Sequence, residues 1–331
     1  MRPFEVRHTS SDLKRLTAKL KQLGGDIRVV MEHTGNYWRP VALTLKKAGF
    51  FVSVVNAMLI HDFSDNSIRK LKTDRADALK IANYALTFWD ELPPFNDEEE
   101  IRLLLKTQSR MCERITTTAT ALRNGLIDLT DQTFAGINQA FDRAAKSAEG
   151  HEKWVDFFQH YWHRDCVCKF SLEAFTESYR RWCRQKNYKF RTDTAHKVYA
   201  LAKECVATLP KCESTKVLIT QACKSLNAVC EAKLVSQHEM QRLASLLPEY
   251  DIVMGMEGAG PITGPALMAE IGDVRRFKNK KALVAFAGVD APPFQSGTFE
   301  SKSRHVSKRG SPHLRRTLFI ISSVILQLSH E

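Results

Sequence analysis

No stretch of the 331-residue chain reaches the roughly 18 consecutive apolar residues that a membrane-spanning helix needs. The nearest, Leu318–Leu328, is short and interrupted by Ser322, Ser323 and Gln327. No apolar run follows the basic residues at the amino terminus, so no secretory leader is expected. The eight cysteines are scattered from Cys112 to Cys230 rather than spaced as a disulfide framework. In a chain that is not exported they are expected as reduced thiols, which points to the cytoplasm. Residues 97–250 are poor in glycine and proline. Tyrosine ends at Tyr250, so His313-Leu-Arg315-Arg316 cannot belong to a tyrosine recombinase, whose nucleophile would lie downstream.

What the chain does contain is ordinary globular composition, 44% hydrophobic and 26% charged, at a length suited to two or three domains. Its formal charge of +12 is uneven. Eleven Lys and Arg fall between Arg275 and Arg316, opposed there only by Asp290 and Glu300. Such a stretch is either a polyanion footprint or a solvated basic face.

Texture divides the chain into residues 1–95, 96–250 and 251–331. The first segment alternates helix and strand signals. A helix from Ser11 to Leu23 stops at Gly24-Gly25. Ile27–Glu32 and Phe50–Val55 then read as strands joined by a helix near residues 40–48, a parallel βαβ unit. A helix from Asp74 to about Trp89 follows. The middle segment has the periodicity of long helices, including a face marked by Leu103, Leu104, Thr107, Met111, Ile115, Thr118 and Leu122, with further helices expected at 171–186, 193–207 and 213–247. It reads as a helical, coiled-coil spacer and dimerisation region. The last segment holds eight of the fifteen glycines and closes with an apolar helix. The fold class expected is α/β plus all-α.

Three groups of residues could carry chemistry. Glu32 ends a parallel strand, where α/β sheets place ligand groups, and Asp74 and Asp77 share one face of a helix start. Converged, the three carboxylates would hold one or two Mg²⁺ ions against phosphate oxygens. Helix-dipole and ion-pair roles would explain them equally well. Next, Gly258 and Gly260 form a Gly-x-Gly turn before a helix, resembling a helix-hairpin-helix phosphate contact, or a plain glycine turn. Finally, Ser296 beside Gly297 sits among cations. These include Arg275, Arg276, Lys302, Arg304, Lys308, Arg309, Arg315 and Arg316, all candidates for nucleic-acid contact. A serine there suits either attack on a phosphodiester or simple phosphate binding. The His160, His163, Cys166 and Cys168 group matches no common zinc spacing and reads as part of a helical bundle.

Met31-Glu-His-Thr-Gly-Asn-Tyr37, Lys72-Thr-Asp-Arg-Ala-Asp77-Ala78, and Ala285-Phe-Ala-Gly-Val289 through Ser296-Gly297 to Ser307-Lys-Arg-Gly310 and Leu314-Arg-Arg316 occur in that order. Together they resemble the one-ten family of bacterial insertion-sequence transposases, the DEDD type. The resemblance implies a ribonuclease-H-like domain similar to Holliday-junction resolvases over 1–95, a coiled coil over 96–250, and a mostly helical transposase domain over 251–331. It implies a homo-oligomer, dimeric or tetrameric, that exchanges DNA strands between element and target under a guide (bridge) RNA. Glu32, Asp74 and Asp77 match the second to fourth members of the family's Mg²⁺-binding tetrad, and Ser296 matches the serine that links covalently to DNA.

No residue here matches the first Asp. Phe4–Thr9 looks like the family's third strand, so the expectation is a chain shortened at the amino terminus, with an exposed sheet edge, and shortened also at its carboxyl end. Two readings follow. One is an active transposase; the alternative is a catalytically inactive, nucleic-acid-binding remnant. A junction nuclease using the acidic site alone leaves Ser296 unexplained.

Overall fold

The computed structural model describes residues 4–33, 37–55, 57–64, 74–95, 100–142, 146–291, 295–296, 299–300 and 305–328. They fall into two compact units, Met1–Glu98 and Glu99–Glu331.

In the first unit Thr9 caps helix α1 (Ser10–Lys21), its Oγ1 accepting the Asp12 N–H at 3.2 Å. Strand β1 (Arg28–Glu32) pairs in parallel with β2 (Phe51–Val55), Arg28 opposite Phe51 and Glu32 opposite Val55, with α2 (Trp38–Lys47) as the crossover. Period-2 alternation splits the strands between two cores. Val29, Met31, Val52 and Val54 face α1 and α2, packing with Leu16, Leu20, Ala42 and Leu45. Val30, Phe51 and Val55 face the other way, towards Ile60 of α3 (Ala57–Ser64) and Ile81, Tyr84 and Ala85 of α4 (Asp74–Thr87). Helices cover both faces, as a parallel sheet requires. The βαβ unit is as expected, but Phe4–Thr9, expected as a strand, forms none, and Thr9 caps α1.

The second unit is built on α5 (Glu100–Thr133) and α10 (Glu213–Ser245), which lie antiparallel. At one end Arg102 holds Glu249 through both guanidinium nitrogens, and Gln108 Nε2 donates to Ser236 Oγ at 3.0 Å. At the other end the Thr208 and Leu209 amides donate to the Gln132 carbonyl at 2.9 and 3.1 Å. The buried residues Leu105, Cys112, Ala119, Leu126 and Thr133 recur every seventh position, one stripe facing the partner helix.

Between the two long helices the chain folds into a cap of α6 (Lys153–His160), α7 (Asp165–Cys168), α8 (Leu172–Gln185) and α9 (Thr192–Glu204). Its core is aromatic: Phe134, Phe157, Phe158, Phe175 and Tyr179 are fully buried, with Trp182 and Tyr188 stacked beside them. Buried Asp156 is matched by Tyr188 Oη at 2.8 Å and Asn227 Nδ2 at 2.7 Å, so its charge is hydrogen-bonded rather than orphaned. His163 Nε2 meets the Leu209 carbonyl at 3.2 Å, and Cys168 Sγ donates to the Ala202 carbonyl at 3.1 Å. These two belong to the bundle interior. No two of the eight cysteines are bonded to each other.

Past α10 come α11 (Tyr250–Met254), α12 (Thr263–Ile271), α13 (Lys280–Ala287), the short strands β3 (Gln295–Ser296) and β4 (Phe299–Glu300), and α14 (Pro312–Leu328). Helix α12 packs on α5, α10 and α14. Among the described residues no helix is long and apolar enough to cross a membrane.

Two carboxylates tie α5 to the segments packed on it, Glu249 before α11 and Glu152 before α6. The hydrogen bond from Arg102 holds Glu249 below its ordinary value of 4.5. Burial opposes the charge on Glu152, yet hydrogen bonds from Arg123 and Trp154 bring it below 4.5 as well. Both are depressed in the folded state, so their contribution is complete above pH 4.5 and is lost as pH falls through the lower native values. Urea midpoints should therefore stay level from neutral pH to about 5 and fall steeply below it, and Glu249→Gln should make that acid slope shallower.

Candidate functional site

Each unit carries one group of the residues singled out by sequence. In the first, Glu32 is the last residue of β1, half-buried, and the next amide, His33 N–H, extends the ladder to the Val55 carbonyl at 2.8 Å. Helix α4 packs on β1 and begins at Asp74, which is exposed. Asp77 pairs with Lys80 at 3.1 Å, a contact with both partners well solvated and of small energetic weight. The contact of α4 with the sheet is made through Ile81, Tyr84 and Ala85 in the middle of the helix. Among the described residues no three His, Cys, Asp or Glu side chains converge to hold a metal ion. Glu32, Asp74 and Asp77 accordingly do not fit a Mg²⁺ ion as a three-carboxylate group.

In the second unit the site is a hairpin on a clamp. Strands β3 and β4 are antiparallel, Gln295 opposite Glu300 and Ser296 opposite Phe299. Residues 286–290 and 307–311 hold the base of this loop together. The Ser307 amide donates to the Asp290 carbonyl at 2.8 Å, the Lys308 amide to Gly288 at 3.0 Å, and the Ser311 amide to Phe286 at 2.7 Å. Ser307 Oγ adds a 2.5 Å hydrogen bond to Asp290 Oδ1.

Two glycines make the crossing possible. Gly288 takes φ of +66° to end α13, and a Cβ on Gly310 would lie 2.0 Å from the Phe286 carbonyl oxygen and 2.6 Å from the Gly288 nitrogen. Both obstacles are backbone, so no side chain can move aside. The clamp rests on a core of Leu267, Ala287 and Leu314.

A buried carboxylate underlies it. Glu270 of α12 is only 2% exposed. It accepts from Arg110 Nε at 3.0 Å and Nη2 at 3.4 Å, and from Ser311 Oγ at 3.1 Å. Ser311 Oγ in turn accepts the Leu314 N–H at 3.2 Å, so one serine caps α14, closes the clamp and satisfies the carboxylate. Nearby, Glu113 is met by His313 Nδ1 at 2.5 Å and by Arg316. Burial raises its pKa, but those two hydrogen bonds outweigh it and hold Glu113 below the usual carboxylate range.

The remaining predicted contacts are spread around this frame. Lys308 and Arg309 are exposed at the clamp, Lys308 with φ of +54°. Arg315 turns back to the Ala287 carbonyl at 3.1 Å. Arg275 pairs with Asp273 at 2.9 Å, and Arg276 lies over the rings of Phe277 and Phe286. Lys302 and Arg304 lie outside the described residues. Gly258 packs against Ile321 and Ile325 of α14, and the Gly260 amide donates to Thr263 Oγ1 at 2.8 Å. The sequence reading missed Arg110, Glu113, Glu270 and Ser311. A single Glu within the apolar run Ala266-Leu-Met-Ala-Glu-Ile271 was the available signal, because such a charge must be paired.

The class of protein is given by comparison with known families, both of which are transposases. Residues 1–135 match a transposase model of the IS110 DEDD type, and residues 250–331 match the transposase model of the IS116/IS110/IS902 family. The chain belongs to the IS110 family of insertion-sequence transposases. It is 20% identical over 316 residues to the insertion element IS110 43.6 kDa protein of Streptomyces coelicolor, covering 96% of this chain and 76% of that protein. It is 21% identical over 306 residues to the pilin gene-inverting protein of Moraxella bovis, covering 90% and 67%.

The two kinds of glycine should respond oppositely to alanine. Gly310→Ala should cost about 3 kcal/mol or more by forcing the clamp apart. Gly125→Ala, in α5 with nothing within 4 Å of its new Cβ, should instead gain about 0.5–1 kcal/mol. Paired thermal and urea melts of the two variants check both signs.

Proposed function

We propose that this transposase cuts and rejoins DNA through Ser296. The deprotonated Oγ attacks a backbone phosphorus, one P–O bond to deoxyribose breaks, and the freed sugar oxygen takes up a proton. The product is a serine–phosphate ester. A second deoxyribose hydroxyl then attacks that ester, gives up its proton and releases the serine, so the phosphodiester count is unchanged. Lys308 and Arg309, exposed beside the loop base, are suited to stabilising the charge that builds on phosphorus oxygens.

The observation that carries this reading is the clamp. A loop whose ends are fixed by four backbone and side-chain hydrogen bonds at a double-glycine crossing can hold a nucleophile in one place while its surroundings bind DNA.

Family resemblance supports the rest of the reading: a ribonuclease-H-like first unit, a homo-oligomer joined by its long helices, a guide RNA, and a divalent metal for the carboxylates. The acidic residues do not fit that metal as a group. This same observation favours the second reading, a DNA-binding remnant without catalysis.

Both readings meet one experiment. Full-length protein is incubated with end-labelled element-end duplex, guide RNA and Mg²⁺, then run on a denaturing gel. Active protein should carry label covalently, and Ser296→Ala should lose the adduct while binding DNA within about twofold of wild type. An adduct that survives in Ser296→Ala sinks the nucleophile assignment. DNA binding by the wild type with no adduct supports the remnant.

A further inference from the structure

Helices α5 and α14 enclose a cleft of about 440 Å³ lined by Arg110, Glu113, Arg114, Thr117, Thr118 and His313. We infer that this cleft seats one backbone phosphate of duplex DNA. The inference takes from the function proposed above only that the protein binds DNA.

The lining is built like an anion site. Arg110 gives its Nε and Nη2 edge to buried Glu270, which fixes the plane of the guanidinium. That bidentate edge uses two of its five N–H groups and leaves the Nη1 side available to an acceptor, while the arginine side chain remains 43% exposed. His313 is oriented in the same manner: Nδ1 is held by Glu113, which leaves Nε2 on the opposite side of the ring, where it has no partner among the described residues.

Arg114 is exposed and forms no ion pair among the described residues. Glu113 also lines the cleft, but its two oxygens are engaged by His313 and Arg316. The hydroxyls of Thr117 and Thr118 donate to the helix carbonyls of Glu113 and Arg114, each at 3.1 Å, and so form a small neutral rim.

Charge bookkeeping sets the size of the effect. Arg110 is balanced by Glu270 and Arg316 by Glu113, which leaves Arg114 as the uncompensated cation. Oriented N–H donors and a single net charge suit one phosphate, not a long electrostatic track. Each phosphate neutralised contributes about 0.9 to the slope of log K against log salt on duplex DNA.

The test measures binding of full-length protein to a fluorescent 30-base-pair (about three turns) mixed-sequence DNA duplex across a salt series, by anisotropy. Arg114→Ala should lower affinity several-fold at low salt and reduce the salt slope by about one. His313→Gln should lower affinity with a smaller change in slope. Arg180→Ala, which removes an exposed cation of the α8 surface paired with Glu177, serves as the control and should change neither.

Because Arg114 is exposed and unpaired, its variant should melt with the wild type, so the result stands even if His313→Gln loosens α14. An unchanged slope for Arg114→Ala overturns the site, as does an equal loss in Arg180→Ala. A slope change seen on duplex RNA but not on duplex DNA overturns the choice of partner. Failure of the wild type to bind DNA at all would count against the transposase reading itself, not against the cleft alone.

Discussion

Helices α5 and α10 run 34 and 33 residues, about 50 Å each, and neither would be stable by itself. Their mutual burial is the constraint on which the second unit depends. The stripe on α5 is modest in bulk, since Leu105 and Leu126 alternate with Cys112, Ala119 and Thr133. Small side chains let the helices approach closely but supply little apolar area. The deficit is made up at the ends. The aromatic cap buries one end, and α11 to α14 bury the other around Met240, Leu243, Ala244, Leu247 and Met268. Gln108 with Ser236 joins α5 directly to α10, while Arg102 with Glu249 and Arg123 with Glu152 tie α5 to the segments beyond it at α11 and α6.

The same rod reaches the candidate site. Arg110 and Glu113 lie one turn apart on α5, and through Glu270 and through His313 with Arg316 they set the positions of α12 and of the first turn of α14. Ser311 joins that layer to the clamp, so the clamp itself stands on helix packing. Burying Glu270 is costly unless every oxygen is matched, and here three hydrogen bonds from two residues match it. That cost makes sense where one geometry must be chosen over many, because two well-packed apolar side chains would leave the first turn of α14 free to slide.

Local signals were readable from the sequence, and long-range pairing was not. The βαβ unit follows from two short β-branched runs around a helix, and α8, α9 and α10 follow from periodicity without breakers. The first helix was displaced by one or two residues because Thr9 rather than Ser11 takes the cap. Helix α3 was missed because Ala57–Ser64 is a short apolar run, in which helix and strand periods cannot be told apart. The aromatic cap was invisible as a core, since Phe134, Phe157, Tyr179 and Tyr188 are spread over some fifty residues and meet only once α5 and α10 have paired. Likewise nothing in sequence joins Arg110 to Glu270 across 160 positions. The cluster of glycines in the last segment marks turns or close backbone approaches, and Gly258, Gly264, Gly288 and Gly310 are close approaches in the fold. Which approach each one served was legible only in the fold: Gly288 and Gly310 meet backbone to backbone, whereas Gly258 makes room for α14.

Charge shows how far composition can be trusted. The stretch from Arg275 to Arg316 counts eleven cations against two carboxylates, yet the structure assigns several of them to internal work. Arg275 is bound to Asp273, Arg276 lies on two aromatic rings, Arg315 closes on the Ala287 carbonyl, and Arg316 is paired with Glu113 of a distant helix. Partners drawn from outside the stretch neutralise what a linear count leaves positive. The field offered to DNA is therefore narrower than the count suggests, with Lys278, Lys280, Lys281, Lys308 and Arg309 the other exposed cations among the described residues of the stretch. A protein that must move along DNA and yet react at one phosphate gains from this division. Paired arginines hold the helical frame, and the exposed cations give attraction that salt can weaken and a strand can leave.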